Sequence, residues 1–193
     1  MQNSDPIPTD DLPAATLRDL LRTFRNYKAL GDGALAQLSS DAPFHTRVDP
    51  DANSVAVIVK HLAGNLRSRL TDFLTSDGDK PDRDRDAEFE MPERATREEV
   101  LQWWDSGWTV ALASLDALTA DDLAKTVTIR GESFLVVEAL NRLATHTAYH
   151  VGQIVFLVKH LAGPEWRTLS IPKGQSKRYA IGTFKEGMIH KPR

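Results

Sequence analysis

Two histidines, His146 and His150, stand four residues apart in the stretch THTAYH. If this stretch is helical, their side chains differ by only about 40° around the helix axis and by about 6 Å along it. Both imidazoles can then reach one cation at metal–nitrogen distances of about 2 Å. The spacing is equally compatible with two hydrogen-bonded helix residues that bind no metal, so the pair alone leaves both interpretations open.

A third candidate ligand, His61, lies on an earlier predicted helix. If the two helices pack through their inner faces, His61 can meet His146 and His150 in a site of three imidazoles. The alternative is a buried histidine satisfied by hydrogen bonds. Three neutral ligands leave coordination positions open for water or substrate, which is typical of catalytic metal sites. We assign no chemical role to the other three histidines, His45, His160 and His190.

The composition limits the chemistry further. The chain has 193 residues, of which 41% are hydrophobic and 26% charged, as expected for one globular domain. A net charge of −3 excludes a strongly basic nucleic-acid-binding protein, and we expect no nucleic-acid partner. Because the chain contains no cysteine, disulfide scaffolds, cysteine-ligated zinc and cysteine nucleophiles are excluded. Any metal must be held by histidine, carboxylate or neutral oxygen ligands.

The sequence carries no sign of a membrane or export segment. No apolar run approaches the roughly 18 residues that a membrane span needs. Residues 1–13 contain three prolines and several acidic residues, which predicts an extended lead-in and not a signal peptide. We therefore expect a cytoplasmic protein with no membrane partner.

The elements that would position the histidines are four long helices, predicted from the hydrophobic spacing. The first is weakened by Gly31 and Gly33, where we expect either a kink or a straight helix. The candidate N-cap residues are Asn53 or Ser54 for the second helix and Thr96 for the third. The predicted spans are Ala14 to Leu38, Ser54 to Phe73, Thr96 to Leu118 and Ser133 to Leu161, where Gly163 and Pro164 end the last.

The connections between the helices differ in character. Residues 39–54 predict a loop, while Thr126–Ile129 followed by Arg130 and Gly131 predicts a short β-hairpin. Between Asp77 and Glu90 there are seven acidic and three basic residues, whose spacing does not fit a calcium-binding loop and predicts a solvated one. The fold class is therefore all-α: a four-helix bundle over residues 14–163 with a short β-hairpin before the last helix, followed by a basic tail (164–193) packed on it.

Polar residues near the histidines are candidates for supporting roles. Asn65 lies one turn after His61, and Gln153 lies three residues after His150. Either could orient water or fix a histidine tautomer, although both could also be ordinary polar residues at the rim. Glu138 is too far along its helix from His146 to be a fourth ligand. No carboxylate is predicted beside the histidines as a general base.

Two further groups of residues could form parts of a pocket. The tryptophans Trp103, Trp104 and Trp108 could form a wall, but their helical spacing favours the core. In the tail, Lys173, Lys177 and Arg178 could contact an anionic cosubstrate if the segment IPKGQSKR folds over the open end of the bundle. The alternative is an ordinary basic tail.

Several segments together resemble a known family. KHLAGN (60–65), RGE (130–132), EALNRLATHTAYHVGQIVFLVKHL (138–161) and SIPKGQS (170–176) are similar to the DinB-like superfamily, which includes the YfiT-type metal-dependent enzymes, and place the chain in an uncharacterised branch. The resemblance extends from about residue 14 to residue 178. Many relatives have an arginine where this chain has Val151, which puts any role for a basic group there in doubt.

The resemblance implies a four-helix bundle with a divalent metal, zinc or nickel, held by His61, His146 and His150. It also implies a homodimer. Characterised members include transferases and isomerases that act through a metal-activated thiolate. We therefore expect either a metal-dependent transferase that uses a low-molecular-weight thiol or a hydrolase that uses metal-activated water, acting on a small molecule. The alternative is a non-catalytic metal- or ligand-binding stress-response protein that retains the three histidines.

Overall fold

The computed structural model describes residues 12–91, 95–175 and 177, and within them the chain is mostly helical. Five α-helices and one small antiparallel sheet follow one another along the chain. In order they are α1 (Leu12–Leu35), α2 (Ala42–His45), α3 (Val55–Leu70), α4 (Arg97–Asp116), β1 (Thr126–Ile129), β2 (Glu132–Leu135) and α5 (Val136–Ala162). Short 3-10 helices cover Ala87–Phe89, Ala120–Ala124 and Gly163–Glu165.

The predicted helix starts at Ser54 and Thr96 are confirmed. The Ser54 side chain accepts a hydrogen bond from the backbone N–H of Val57 at the start of α3. Thr96 begins α4 with a capping box, in which its Oγ1 accepts from the N–H of Glu99 and its own N–H donates to the Glu99 carboxylate. These bonds satisfy amide groups that have no partner within the helix.

Two helix starts differ from the prediction, and α1, α3 and α4 end two or three residues before their predicted ends. Helix α1 begins at Leu12, two residues before the predicted start at Ala14, and residues 1–11 of the predicted lead-in lie outside the described residues. Helix α5 begins at Val136 and not at Ser133, because Ser133 pairs with Thr128 in the sheet. The apolar spacing of α5 starts before its backbone becomes helical, so spacing alone placed the boundary too early.

The glycines of α1 do not break the helix. Gly31 is buried against the indole of Trp104, and a Cβ at this position would overlap the ring. Trp104 and Trp108 are 1% and 0% exposed, which confirms that they belong to the core. Gly31 therefore costs helix propensity but allows a large aromatic side chain to pack against α1.

The long helices pack on one another through apolar faces. Helix α3 makes its most extensive contacts with α4, α1 packs mainly on α5, and α3 and α5 also touch directly. The approach of α4 to α3 is close at Gly107, where a Cβ would lie 2.7 Å from the Cα of Ala63. These contacts bring His61 on α3 to the side of α5 that carries His146 and His150.

The predicted hairpin is confirmed, and it is fastened to the loop after α3. Arg130 and Gly131 form the turn with positive φ angles of 56° and 75°, as tight hairpin turns require. The Asp77 carboxylate accepts hydrogen bonds of 2.9 Å from both of their backbone N–H groups. This contact holds the turn beside the C-terminal part of α3.

The two loops that were predicted to be irregular both contain structure. Residues 39–54 include α2, whose Phe44 is fully buried. The segment from Asp77 to Glu90 is not simply solvated, because it contains a 3-10 helix and buries Glu88. The error has a physical cause: charges that look solvated in the sequence are paired within the fold, as Arg83 is with Glu88.

The described part of the tail contacts α1. Gln37 donates to the carbonyl of Arg167 at 3.0 Å and accepts from its N–H at 2.7 Å. The Leu169 side chain packs over Gly33, where a Cβ would lie 2.9 Å from a Leu169 methyl group. These contacts tie the segment after α5 to the C-terminal half of α1.

Candidate metal centre

The three predicted histidines converge between α3 and α5. The Nε2 atom of His146 lies 3.4 Å from Nε2 of His61 and 3.2 Å from Nε2 of His150. One possible ligand atom from each residue lies within 4.8 Å of the others, so this group could hold a metal ion. Imidazole nitrogens that bind one tetrahedral metal at about 2.0–2.1 Å stand about 3.3 Å apart, which fits both measured distances.

Hydrogen bonds fix the tautomers of two of these rings. Nδ1 of His61 contacts the Glu88 carboxylate at 2.8 Å, and Nδ1 of His150 contacts the side-chain oxygen of Gln153 at 2.9 Å. Both partners are acceptors, so each Nδ1 donates a proton and each Nε2 keeps its lone pair. The lone pairs therefore face the point where a cation would lie, as is usual for metal-binding histidines.

The environment keeps two of the histidines neutral. Burial, followed by the proximity of His150 and His61, lowers the pKa of His146 to about 4. Burial and His61 also lower the pKa of His150. Both rings are therefore uncharged at neutral pH, which is the protonation state that metal binding requires. Nδ1 of His146 is buried and has no hydrogen-bond partner among the described residues.

Glu88 was missed at the sequence level. A carboxylate does lie beside the histidines, because Glu88 is only 6% exposed and contacts His61, although it does not stand there as a free general base. Arg83 donates from Nε to Oε1 at 2.8 Å and from a terminal nitrogen to Oε2 at 3.0 Å. Burial raises the pKa of Glu88, but the hydrogen bonds from His61 and Arg83 outweigh it and leave the pKa below its usual value. Because both oxygens are engaged, Glu88 orients His61 and is not a free base.

A glycine of α3 makes room for this carboxylate. A Cβ on Gly64 would overlap Oε1 of Glu88. Glycine is unfavourable inside a helix by about 1 kcal/mol relative to alanine, so its position within KHLAGN was a signal that another group approaches closely. The sequence did not indicate which group this was, because Glu88 follows 24 positions later in a charged loop.

Of the other candidate residues, Asn65 lies beside the histidines and Glu138 does not. Asn65 is 8% exposed and lines a cavity with His61 and His146, and its Oδ1 has no hydrogen-bond partner among the described residues. Glu138 is not at the site: its carboxylate accepts from the N–H of Leu135 at 2.8 Å and caps α5.

The remaining histidines take no part in the cluster. His45 lies at the end of α2 and not in a loop, and its Nε2 donates to the carbonyl of Ala95 at 2.6 Å. His160 is exposed in the last turn of α5. His190 lies outside the described residues.

The cavity beside the histidines, which we call the histidine cavity, has a volume of about 180 Å³. It lies between α3, α5, the loop after α3 and the hairpin. Its lining residues are His61, Asn65, Arg69, Phe73, Arg83, Arg85, Ile129, Arg130, Ala139, Arg142, Leu143 and His146. Lys173 and Lys177 are exposed and are not among them, while Arg178 lies outside the described residues.

Fold and site together define a mostly helical protein with a three-histidine group that could hold a metal ion. The family described as "Protein of unknown function (DUF1572)" matches residues 11–175, and the chain belongs to this family. No curated protein matches the sequence. Over the described residues, no helix has both the length and the apolar character needed to cross a membrane.

Proposed function

We propose that the chain is a DinB-like four-helix bundle that binds a divalent metal through His61, His146 and His150. The observation that carries the proposal is the convergence of three Nε2 atoms at distances of 3.2 and 3.4 Å, with two tautomers fixed by Glu88 and Gln153. The pairwise packing of the four long helices and the DinB-like motifs support the bundle.

We further propose that the protein is a metal-dependent enzyme, either a transferase that uses a low-molecular-weight thiol or a hydrolase. A bound divalent metal supplies acidity, since it lowers the pKa of a water or thiol that it coordinates. The chain contributes three neutral ligands, a cavity that admits a small molecule, and Glu88, which holds His61 in one orientation. Because the chain has no cysteine, a thiol would enter as a cosubstrate.

Zinc and nickel both suit a site built of imidazoles. Three histidine ligands do not discriminate between zinc and nickel. Metal analysis of the purified protein is the experiment that would identify the metal. We also propose that the protein is a homodimer, which rests on the family resemblance, and that it is cytoplasmic. Light scattering coupled to size-exclusion chromatography tests the first, and cell fractionation tests the second.

One observation favours a second candidate, a non-catalytic metal- or ligand-binding protein. No aspartate or glutamate is among the described residues that line the histidine cavity, and Glu88 is fully engaged by His61 and Arg83. A carboxylate that could act as a general base is therefore missing from the described part of the cavity wall. An enzyme built this way would depend on the metal alone to generate its nucleophile, whereas a binding protein would need no base.

Metal analysis of purified protein tests the site. Wild type is expected to contain about one divalent metal per chain, and His146→Ala is expected to lose it. His160→Ala is the matched control, because His160 is an exposed histidine of the same helix and should leave the metal content unchanged. Circular dichroism establishes that both variants are folded. Unchanged metal content in folded His146→Ala would contradict the proposed site.

Turnover separates the two candidate functions. Metal-loaded protein is incubated with small thiols and electrophilic acceptors, and separately with ester and amide substrates. Product formation that requires the metal and is lost in His146→Ala supports the enzyme. Stoichiometric metal without turnover of either substrate group favours the binding protein.

A further inference from the structure

Five arginines line the histidine cavity: Arg69, Arg83, Arg85, Arg130 and Arg142. They come from α3, from the loop that follows it, from the hairpin turn and from α5, so separate parts of the fold contribute arginines to one cavity. The guanidinium group matches the geometry of carboxylates and phosphates, which it can bind through two parallel hydrogen bonds. This concentration of positive charge is not expected of a cavity that takes only neutral molecules.

Among the described residues, three carboxylates pair with the five arginines: Asp79, Glu88 beside Arg83, and Asp86 beside Arg85. Asp79 alone lies 3.1 Å from a nitrogen of Arg69, 3.8 Å from one of Arg83 and 2.8 Å from Nε of Arg130. Burial lowers the pKa of Arg69, and the nearby charges of Arg83 and Arg130 act in the same direction, although Asp79 opposes them. Five guanidinium groups are therefore paired with only three carboxylates, and the excess of positive charge would attract an additional anion.

Two of the arginines are placed to contact a ligand. Arg142 is exposed, lies 5.9 Å from the centre of the Phe134 ring, and forms no ion pair with any described residue. Arg85 lies 5.1 Å from the centre of the Phe89 ring, and its ion pair with Asp86 is long, at 3.6 Å, and exposed. The aromatic contacts restrict both guanidinium groups while leaving hydrogen-bond donors free.

The inner end of the cavity carries a separate indication of a ligand. Asn65 is buried, yet its Oδ1 has no partner among the described residues. A buried polar atom without a hydrogen bond costs about 1–3 kcal/mol, so such atoms commonly contact a ligand or water. Asn65 shares this end with His61 and His146, whereas the exposed arginines stand at the mouth.

We propose that the histidine cavity binds a small molecule carrying a carboxylate or phosphate group. The anion would lie at the mouth, near Arg85, Arg130 and Arg142, with the rest of the molecule beside His61. A volume of about 180 Å³ is below the roughly 300–1,000 Å³ of drug-sized pockets and restricts the ligand to a small metabolite. The inference rests on the proposed function and deepens it, because it names the class of substrate.

The test is a titration of the metal-free, full-length protein with succinate and, separately, with inorganic phosphate, followed in two-dimensional amide NMR spectra. We expect saturable shifts for amides of α3, α5 and the hairpin turn. Tighter binding of one probe identifies whether the natural anion is a carboxylate or a phosphate. Because no metal is present, failure of the proposed metal site would leave this result unaffected.

Arg142→Gln provides the decisive variant, because Arg142 is exposed and removing its charge breaks no ion pair with a described residue. Loss of one charge-assisted hydrogen bond predicts about tenfold weaker binding of the preferred probe. Arg18→Gln is the matched control, an exposed arginine of α1 that does not line the cavity, and should leave binding unchanged. The proposal is overturned if neither probe gives saturable shifts, if Arg142→Gln binds as wild type does, or if Arg18→Gln weakens binding equally.

Discussion

Two glycines on different helices, Gly31 of α1 and Gly64 of α3, solve the same spatial problem for opposite purposes. A methyl group at either position would overlap a neighbouring side chain. Gly31 admits Trp104, a buried indole that fills the core between α1 and α4. Gly64 admits Glu88, a buried carboxylate that orients His61. A glycine within a helix therefore indicates a close approach, but the approaching group decides whether it serves packing or the site.

The polar environments of the two regions also differ. Nε1 of Trp104 donates to the Asp32 carboxylate at 2.6 Å, so the indole that Gly31 admits is satisfied, whereas Nε1 of the neighbouring Trp108 has no partner among the described residues. Around Gly64 the polar groups are satisfied only in part, because Oδ1 of Asn65 and Nδ1 of His146 lack partners among the described residues. Unsatisfied buried groups lower stability and are usually tolerated where a ligand completes them. The comparison therefore predicts that the Gly31 region determines stability and the Gly64 region determines metal binding.

The largest effect is expected from Gly31→Ala. The added methyl group would push into the ring of Trp104, and overpacking of this kind costs about 1–3 kcal/mol and occasionally more. Urea denaturation should show this loss in the free energy of unfolding, while metal content stays as in wild type. Weakened metal binding in folded Gly31→Ala would erase the proposed distinction between the two regions.

Gly64→Ala is expected to act on metal affinity. The methyl group would displace Glu88 from His61, and loss of such a supporting hydrogen bond commonly weakens metal binding by about 10–100-fold. Competition with a chromophoric chelator measures the affinity. Gly152→Ala is the control, because a Cβ at this exposed position of α5 meets no atom within 4 Å. If Gly64→Ala binds metal with wild-type affinity, Glu88 does not support metal binding.

The metal-free protein should lose stability as the pH falls from about 6.5 toward 4. The pKa of His146 is about 4 in the folded chain and about 6.5 when unfolded, so between these values the unfolded state binds more protons. The slope from this group is at most about 1.4 kcal/mol per pH unit. Thermal denaturation of wild type and His146→Asn across this range checks it, and equal slopes would contradict the assignment.

The smallest effect is expected from Asp32→Asn. The substitution retains an oxygen that accepts from Nε1 of Trp104 but removes the ion pair with Lys28, which lies 2.8 Å away. Partly exposed pairs contribute about 0–1 kcal/mol, so the free energy of unfolding should fall by no more than about 1 kcal/mol, with metal affinity unchanged. A larger loss in urea denaturation would show that the charge itself holds Trp104 in place.

Local chemistry allowed much of the fold to be predicted. Ser54 and Thr96 are helix caps whose hydrogen bonds reach residues only three positions away. Arg130 and Gly131 form a turn that depends on the φ angles of these two residues. His146 and His150 share a helix face for the same reason. The position of Ser133 was predicted wrongly, because the hairpin and the helix that follows it share one apolar pattern.

The rest of the site depends on long-range packing. Glu88 and Arg83 lie in a segment whose charges resemble a solvated loop, and only the folded chain shows that they pair with each other beside His61. The arginines of the cavity are separated by up to 73 positions, and no spacing rule connects Arg69 with Arg142. From the sequence, only the basic tail was a candidate for anion binding. Basic residues that are neighbours along the chain can be recognised in a sequence, whereas arginines that come together only in the fold cannot.

The separation of His61 from His146 along the chain has a thermodynamic consequence. The two rings come together only when α3 and α5 have docked, across 85 positions of sequence. An unfolded chain offers a cation at most the local pair on α5, so a divalent ion would bind the native state selectively. Mass action would then raise the free energy of unfolding with the concentration of free metal, by about 2.7 kcal/mol at a hundredfold excess over the dissociation constant, and the melting temperature would rise with it. Metal supply would thereby set the fraction of molecules that is folded.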